Sequence, residues 1–254
     1  MRALLFLALL FALWRPALAA DIELGFARET VAISSSFSGT EVVLFGSIEG
    51  GDAAALKAGD YDIVVTLVGP IERVKVRRKE RRLGVWINGP AARFREVPSS
   101  YTFASTAPLN EVAEPQLLAS LGLGIDNIEP RRSGKPVGDE TDIANYATSL
   151  RRLKRQSALY SERPGAVNLL SPTLFRARLP IPANVPIGRH RAHAYLFRNG
   201  EFEMTRSILL DVRKTGLESW IYNLAHRQGL LYGILGVLIA MATGWLAAVI
   251  FGKD

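Results

Sequence analysis

The chain has 254 residues, with 31 lysines and arginines against 24 aspartates and glutamates, a net charge of +7 and no cysteine. The missing thiols exclude a cysteine nucleophile, cysteine-ligated zinc and iron–sulfur clusters, and a domain of this size can bury an adequate core without disulfides. Long apolar runs stand at both ends, around a middle of ordinary globular composition, as expected for an exported domain held to a membrane by its C-terminus.

Residues 1–19 have the parts of a cleavable signal peptide. Arg2 supplies a positive start, and residues 3–14 form an unbroken apolar run. That run falls short of the roughly 20 apolar residues a spanning helix needs. Arg15-Pro16 breaks it, and Ala17-Leu18-Ala19 offers small residues for cleavage after Ala19 or Ala20. An uncleaved N-terminal anchor is the alternative.

Residues 20–212 are expected to form the periplasmic domain. Residues 29–37, 40–48 and 61–68 are rich in Val, Ile, Leu and Phe and read as strands, separated by the turn signals Gly50-Gly51-Asp52 and Gly59-Asp60. Residues 74–78 alternate apolar with basic side chains, which suits a half-exposed strand; residues 83–88 and 101–105 continue the series. Glu114-Pro115 opens a short helix that ends at Gly122, with Pro at its first position. Residues 139–159 carry Ile143, Tyr146, Ala147, Leu150 and Leu153 at helical spacing, acidic at the start and basic at the end, in accord with the helix dipole. Strands return from Ala166. Asn199-Gly200 between two apolar runs signals a two-residue hairpin, with Arg198 opposite Glu201 and Phe197 opposite Phe202. The expected fold is mainly β: an Ig-like β-sandwich with a helical insertion at about 110–164 and one C-terminal transmembrane helix. Two small sandwiches separated by helices are the alternative.

Residues 213–228 form an amphipathic juxtamembrane segment, and residues 229–251 a transmembrane helix, leaving 252–254 as a cytoplasmic tail. At about 1.5 Å rise per residue, residues 230–251 span roughly 33 Å, enough for the hydrocarbon core. Trp220, Tyr222 and Tyr232 cluster near one end and Trp245 lies towards the other, as interfacial aromatics do. Arg213, Lys214 and Arg227 lie on the expected outer side against Lys253 inside, so the signal peptide, not the flanking charge, sets the orientation. Gly229, Gly233, Gly236, Ala240, Gly244 and Ala248 form a small-residue stripe, the pattern that lets membrane helices approach closely. The partner expected there is another membrane protein or a second copy.

Chemistry-bearing patterns are sparse. His190 and His193 lie three apart on an expected strand and so face opposite ways, which prevents joint metal binding. Ser34-Ser35-Ser36 lacks the elbow of a serine nucleophile. Asp60 and Asp62 could share a face but resemble solvated turn residues. No catalytic, cofactor or metal site is expected. The densest basic run holds Lys75, Arg77, Arg78, Lys79, Arg81 and Arg82, a candidate recognition surface for headgroups, an acidic partner or an acidic ligand. Nucleic acid is not an expected partner of an exported chain without an aromatic-interleaved basic motif.

The segments Val31-Ala32-Ile33-Ser34-Ser35-Ser36-Phe37-Ser38-Gly39, Val76-Arg77-Arg78-Lys79-Glu80-Arg81 with Gly84-Val85-Trp86-Ile87-Asn88, and Val97-Pro98-Ser99-Ser100-Tyr101 resemble a family of alphaproteobacterial transmembrane proteins of unknown function. The resemblance covers essentially the whole chain. It implies a signal peptide, a periplasmic domain, one C-terminal span and an inner-membrane location, and supplies no catalytic residues. It also implies the genomic company of a sulfite-exporter-type permease. The expected function is a non-enzymatic accessory protein of the inner membrane, assisting a small-anion permease. A stand-alone, membrane-tethered ligand-binding or cell-envelope domain is the alternative.

Overall fold

Alternating apolar and polar side chains build two facing sheets. The first holds β1 (Asp21–Phe26), β3 (Gly39–Glu49), β11 (Leu174–Pro182) and β10 (Val167–Leu169), antiparallel and in that spatial order. The second holds β2 (Thr30–Ile33), β13 (Glu201–Lys214), β12 (Gly188–Arg198), β4 (Tyr61–Val68), β7 (Tyr101–Ser105) and β9 (Tyr160–Pro164). Its two edge pairings, β2 with β13 and β7 with β9, are parallel, and the inner ones antiparallel. This computed structural model describes residues 21–50, 53–82, 84–134, 140–215 and 224–251. The expected signal peptide (1–19), the tail (252–254) and residues 216–223 of the juxtamembrane segment lie outside them.

The facing sides share one core. Leu44, Phe175 and Leu179 from the first sheet meet Ile63, Leu196 and Leu210 from the second, each wholly buried. The chain is therefore mainly β, one sandwich of Ig-like two-sheet architecture, and the two-sandwich alternative is overturned. Phe175 packs directly on Gly46, where a Cβ would sit 2.1 Å from the ring; glycine there makes room for a wholly buried phenylalanine of the core.

The outer face of the second sheet is also covered. Val64, Phe103, Tyr160 and Phe197 pack against a helical layer. That layer contains α2 (Leu109–Val112), α3 (Pro115–Ser120, proline opening it) and a 3-10 turn (Ile125–Asn127). It contributes Val112, Leu118, Leu123 and Ile125, and Tyr101 Oη accepts the Gly124 amide at 3.1 Å. The Asn199-Gly200 turn forms with both residues at positive φ, +49° and +85°, and pairs Arg198 with Glu201 and Phe197 with Phe202.

Several elements differ from expectation. β1 lies outside the expected strands, although Ile22, Leu24 and Phe26 alternate with Asp21, Glu23 and Gly25 as in a half-buried strand. The short helix α1 (Ala53–Ala58) is too brief for a periodic signal, yet its Ala55 and Leu56 join the sandwich core. Residues 160–164, within the expected helical insertion, form β9. The largest difference concerns residues 74–78 and 83–88, expected to continue the sandwich. Residues 74–78 belong to β5 (Ile71–Arg82) and residues 85–88 to β6 (Val85–Pro98); the two strands pair with each other, and β6 also with β8 (Arg131–Arg132), in a separate sheet. The cause is backbone continuity. The Gly69 amide donates to Ser100 O at 2.8 Å and the Ser99 amide to Pro70 O at 2.9 Å. These bonds carry the β4–β7 ladder onward into β5–β6.

His190 is buried in the sandwich. Its Nδ1 lies 3.2 Å from Gly188 O, which can only accept, so Nδ1 carries the proton. Nε2 is buried with no partner among the described residues. Burial holds its pKa below the ordinary histidine value, against the smaller opposing effect of the Gly188 bond; His193 is lowered by burial and then by Arg191. The unfolded chain therefore takes up protons at these sites before the fold does. Stability should fall as pH drops below about 6.5, by at most about 1.4 kcal/mol per unit per histidine. His190→Leu should flatten that slope in unfolding measured between pH 7 and 5; an unchanged slope would contradict it. Phe175→Ala should cost about 3–5 kcal/mol in denaturant unfolding.

Candidate functional site

Strands of 12 and 14 residues make the β5–β6 hairpin an arm of about 40 Å. A ribbon that long is marginal without a hydrophobic face to cover it. The long helix α4 (Glu140–Gln156) covers it near its root: Tyr146 and Leu150 pack with Val76, Ala92, Phe94 and Val97 in a small separate core. Tyr146 Oη donates to Pro90 O at 3.1 Å. Lys154 Nζ donates to Glu72 Oε1 at 2.6 Å and to Ser99 O at 2.9 Å, and lies 5.9 Å from the Tyr160 ring centre. With its side chain only 12% exposed, Lys154 joins the arm, α4 and the second sheet at one point. Arg155 pairs with both carboxylate oxygens of Asp126 at 3.2 Å, and Arg151 donates to Ile128 O at 3.1 Å; these bonds tie α4 to the helical layer.

The predicted basic residues divide along this arm. Arg78 has a bracing role: its guanidinium lies 5.4 Å from the Tyr146 ring centre and 3.4 Å from Asp142 Oδ1. Lys75, Arg77, Lys79 and Arg81 are exposed. Arg82 lies opposite Val85 in the ladder, and its side chain is outside those described. A register shift between Arg77 and Lys79 marks the end of the braced part. Beyond it, Val85, Trp86 and Ile87 are 63%, 65% and 40% exposed. The pairing puts Trp86 opposite Arg81, and Ile87 opposite Glu80. Trp86 therefore shares a face with Lys79 and Arg81, while Val85 and Ile87 share the other. Sequence reasoning found the cations but not the exposure of this apolar tip, because alternation alone does not reveal what covers a face.

The remaining candidates fall apart or become structural. His190 points into the core and His193 lies on the opposite face of β12. Asp62 accepts the Thr106 hydroxyl at 2.5 Å, and Thr106 Oγ1 accepts the Ile63 amide at 3.2 Å, so Asp62 anchors a strand end. Ser34 and Ser36 hydrogen-bond each other at 3.1 Å on the surface. Among the described residues, no group of three or more acidic or histidine side chains could hold a metal. A groove of about 610 Å³ lies between α4 and β8, lined by Phe94, Glu129, Arg132, Ile143, Ala147 and Arg151 among others.

The C-terminal helix α5 (Gly229–Phe251) is 23 residues long, has no charged side chain and is exposed throughout. It is the one helix among the described residues long and apolar enough to cross a membrane. Gly229, Gly233, Gly236, Ala240, Gly244 and Ala248 all lie on it. A Cβ built at any of its four glycines would meet nothing within 4 Å, so contacts among the described residues do not require these glycines.

Residues 21–253 match a family profile described as "Putative transmembrane protein (Alph_Pro_TM)". No curated protein matches the chain. Among solved structures it is similar to AggA, the major subunit of aggregative adherence fimbriae type I from Escherichia coli. That similarity has 10% identity, covers 77% of this chain and 94% of that one, and has a TM-score of 0.23.

The bracing contacts generate a test. Lys154→Met removes two bonds made by a charged donor, each worth about 1.5–3 kcal/mol. Amide exchange in β5–β6 should accelerate by roughly tenfold or more while β3 and β11 keep their protection. Equal acceleration in both regions would mean that Lys154 supports the whole domain rather than the arm.

Proposed function

The chain belongs to this alphaproteobacterial transmembrane family, and on that footing we propose that it is a non-enzymatic accessory protein anchored in the inner membrane. Residues 1–19 act as its signal peptide, the domain of residues 20–212 stands in the periplasm, and α5 spans the bilayer from about residue 229 to 251. The observation that carries the proposal is α5 itself: a fully apolar helix, exposed on all sides, with a small-residue stripe that no described part of the chain occupies. In lipid, helices associate through close packing at such stripes. The natural occupant is a helix of a polytopic membrane protein. A small-anion permease of the sulfite-exporter type is the candidate that the family resemblance supplies, with a second copy of this chain as the other.

One feature favours a second role, that of a tethered ligand-binding domain. The groove beside α4 is lined by Arg132 and Arg151, by Asp126 and Glu129, and by Phe94 and Ile143, a mixture suited to a small polar molecule.

The test is purification of the full chain from native membranes in mild detergent. A permease in fixed stoichiometry is expected with the unaltered chain and absent with Gly233→Ile combined with Gly236→Ile. Retention of the same partner by that variant would remove the helix from the interface. Arrival of the chain alone, as monomer or homodimer, would favour the ligand-binding role.

A further inference from the structure

Two parts of the domain leave the second sheet at the same end. In the strand register, Val68 at the end of β4 pairs with Arg191, which pairs with Leu209, and β13 runs on from there to Lys214. The β5–β6 ribbon continues the β4–β7 ladder past Val68. The Asn199-Gly200 turn lies at the opposite end, where Arg198 pairs with Tyr61. The segment leading to α5 and the root of the arm therefore leave the same end of the sheet, with β12 between them.

Residues 215–228 link β13 to α5, and a fully extended chain of that length reaches about 50 Å at most. The arm is about 40 Å long. The two lengths are comparable, so the tether lets the tip of the arm meet the membrane surface. The tip has the composition of an interfacial contact: an exposed Trp with two aliphatic neighbours, flanked by Lys79 and Arg81 and, further back, Arg77 and Lys75. Apolar side chains entering the headgroup region, with cations against anionic lipid, describe a surface that lies on a bilayer.

We infer that the β5–β6 hairpin is a second membrane contact, whose Val85-Trp86-Ile87 tip enters the anionic surface of the bilayer that α5 spans while Lys79, Arg81 and Arg77 pair with its headgroups. The contact orients the sandwich on the membrane. It depends on membrane anchoring through α5 and not on which protein the small-residue stripe binds.

The cysteine-free chain permits a direct experiment. Val85→Cys in the full-length protein is labelled with an environment-sensitive fluorophore and reconstituted into phosphatidylcholine vesicles with or without phosphatidylglycerol. In phosphatidylglycerol vesicles the emission should shift to the blue, be quenched by doxyl-labelled lipid and resist aqueous iodide, and added salt should reverse these effects. Arg77→Glu with Arg81→Glu should lower the ratio of lipid-bound to free tip about 25-fold or more, from about fivefold for each lost cation. The same label at Glu201→Cys, beside the turn at the far end, should stay in water. Ile87→Cys gives an independent reading at the tip. A tip label at both positions that remains open to iodide and untouched by doxyl lipid even in phosphatidylglycerol vesicles would overturn the inference. So would a tip that is shielded only after the co-purified membrane protein is added, since the occupant would then be protein. Either result leaves the co-purification test of α5 unaffected.

Discussion

The central constraint is that β4 is buried on both faces. Ile63, Val65 and Leu67 face the first sheet, and Val64 faces the other way. A strand of this kind needs cover on two sides. The first sheet supplies one cover and the segment between β7 and β9 the other. This accounts for a helical layer laid on one side of a sandwich instead of a separate domain. It also accounts for β9: with the outer face covered, the chain returns along the free edge of β7 in parallel, from Tyr101–Tyr160 to Ser105–Pro164. Tyr101 and Tyr160 meet there edge to face, their ring centres 6.1 Å apart.

The same strand starts the arm. Between β4 and β5 only Gly69 and Pro70 intervene, and between β6 and β7 only Ser99 and Ser100, so the ladder leaves the sandwich with little interruption. What it leaves behind is burial. The arm regains some through the small core under α4, and loses it again beyond Arg78. Charge then takes over as the organising feature: the shank is basic, and the tip combines cations with exposed apolar side chains. Arg78 stands at the boundary, where stacking on Tyr146 and pairing with Asp142 make it part of the support. In sequence it looks the same as its neighbours Arg77 and Lys79.

Features fixed by local chemistry were legible in the sequence. Asn199-Gly200 dictates a turn, and the turn dictates the register on both sides of it. The residue 61–68 and 101–105 strands could be read from composition, and α5 from its length and lack of charge. The destination of a strand was not legible. Val74 and Val76 alternate with Lys75 and Arg77 in the same way whether their apolar face meets a second sheet or a helix. Periodicity therefore identified a half-buried strand without showing that α4 buries it. Trp86 follows the basic run in sequence, but that order does not show that its side chain is left uncovered. The basic surface was visible as composition, while its division into bracing and exposed residues depended on Tyr146 and Asp142, more than sixty positions away.

The parallel pairing at the edge of the second sheet bears on how the molecule carries mechanical load. Any pull transmitted from the membrane reaches the domain at Lys214, the last residue of β13. Over Asp211–Lys214, β2 lies alongside in parallel, and β12 holds the strand from Val212 back to Glu201. A force along the strand axis would have to slide β13 past two neighbours at once, straining many backbone bonds together instead of peeling them one at a time. The tether is thus attached to a strand with neighbours on both sides, and lateral drag on the anchor should be borne by the sandwich as a unit.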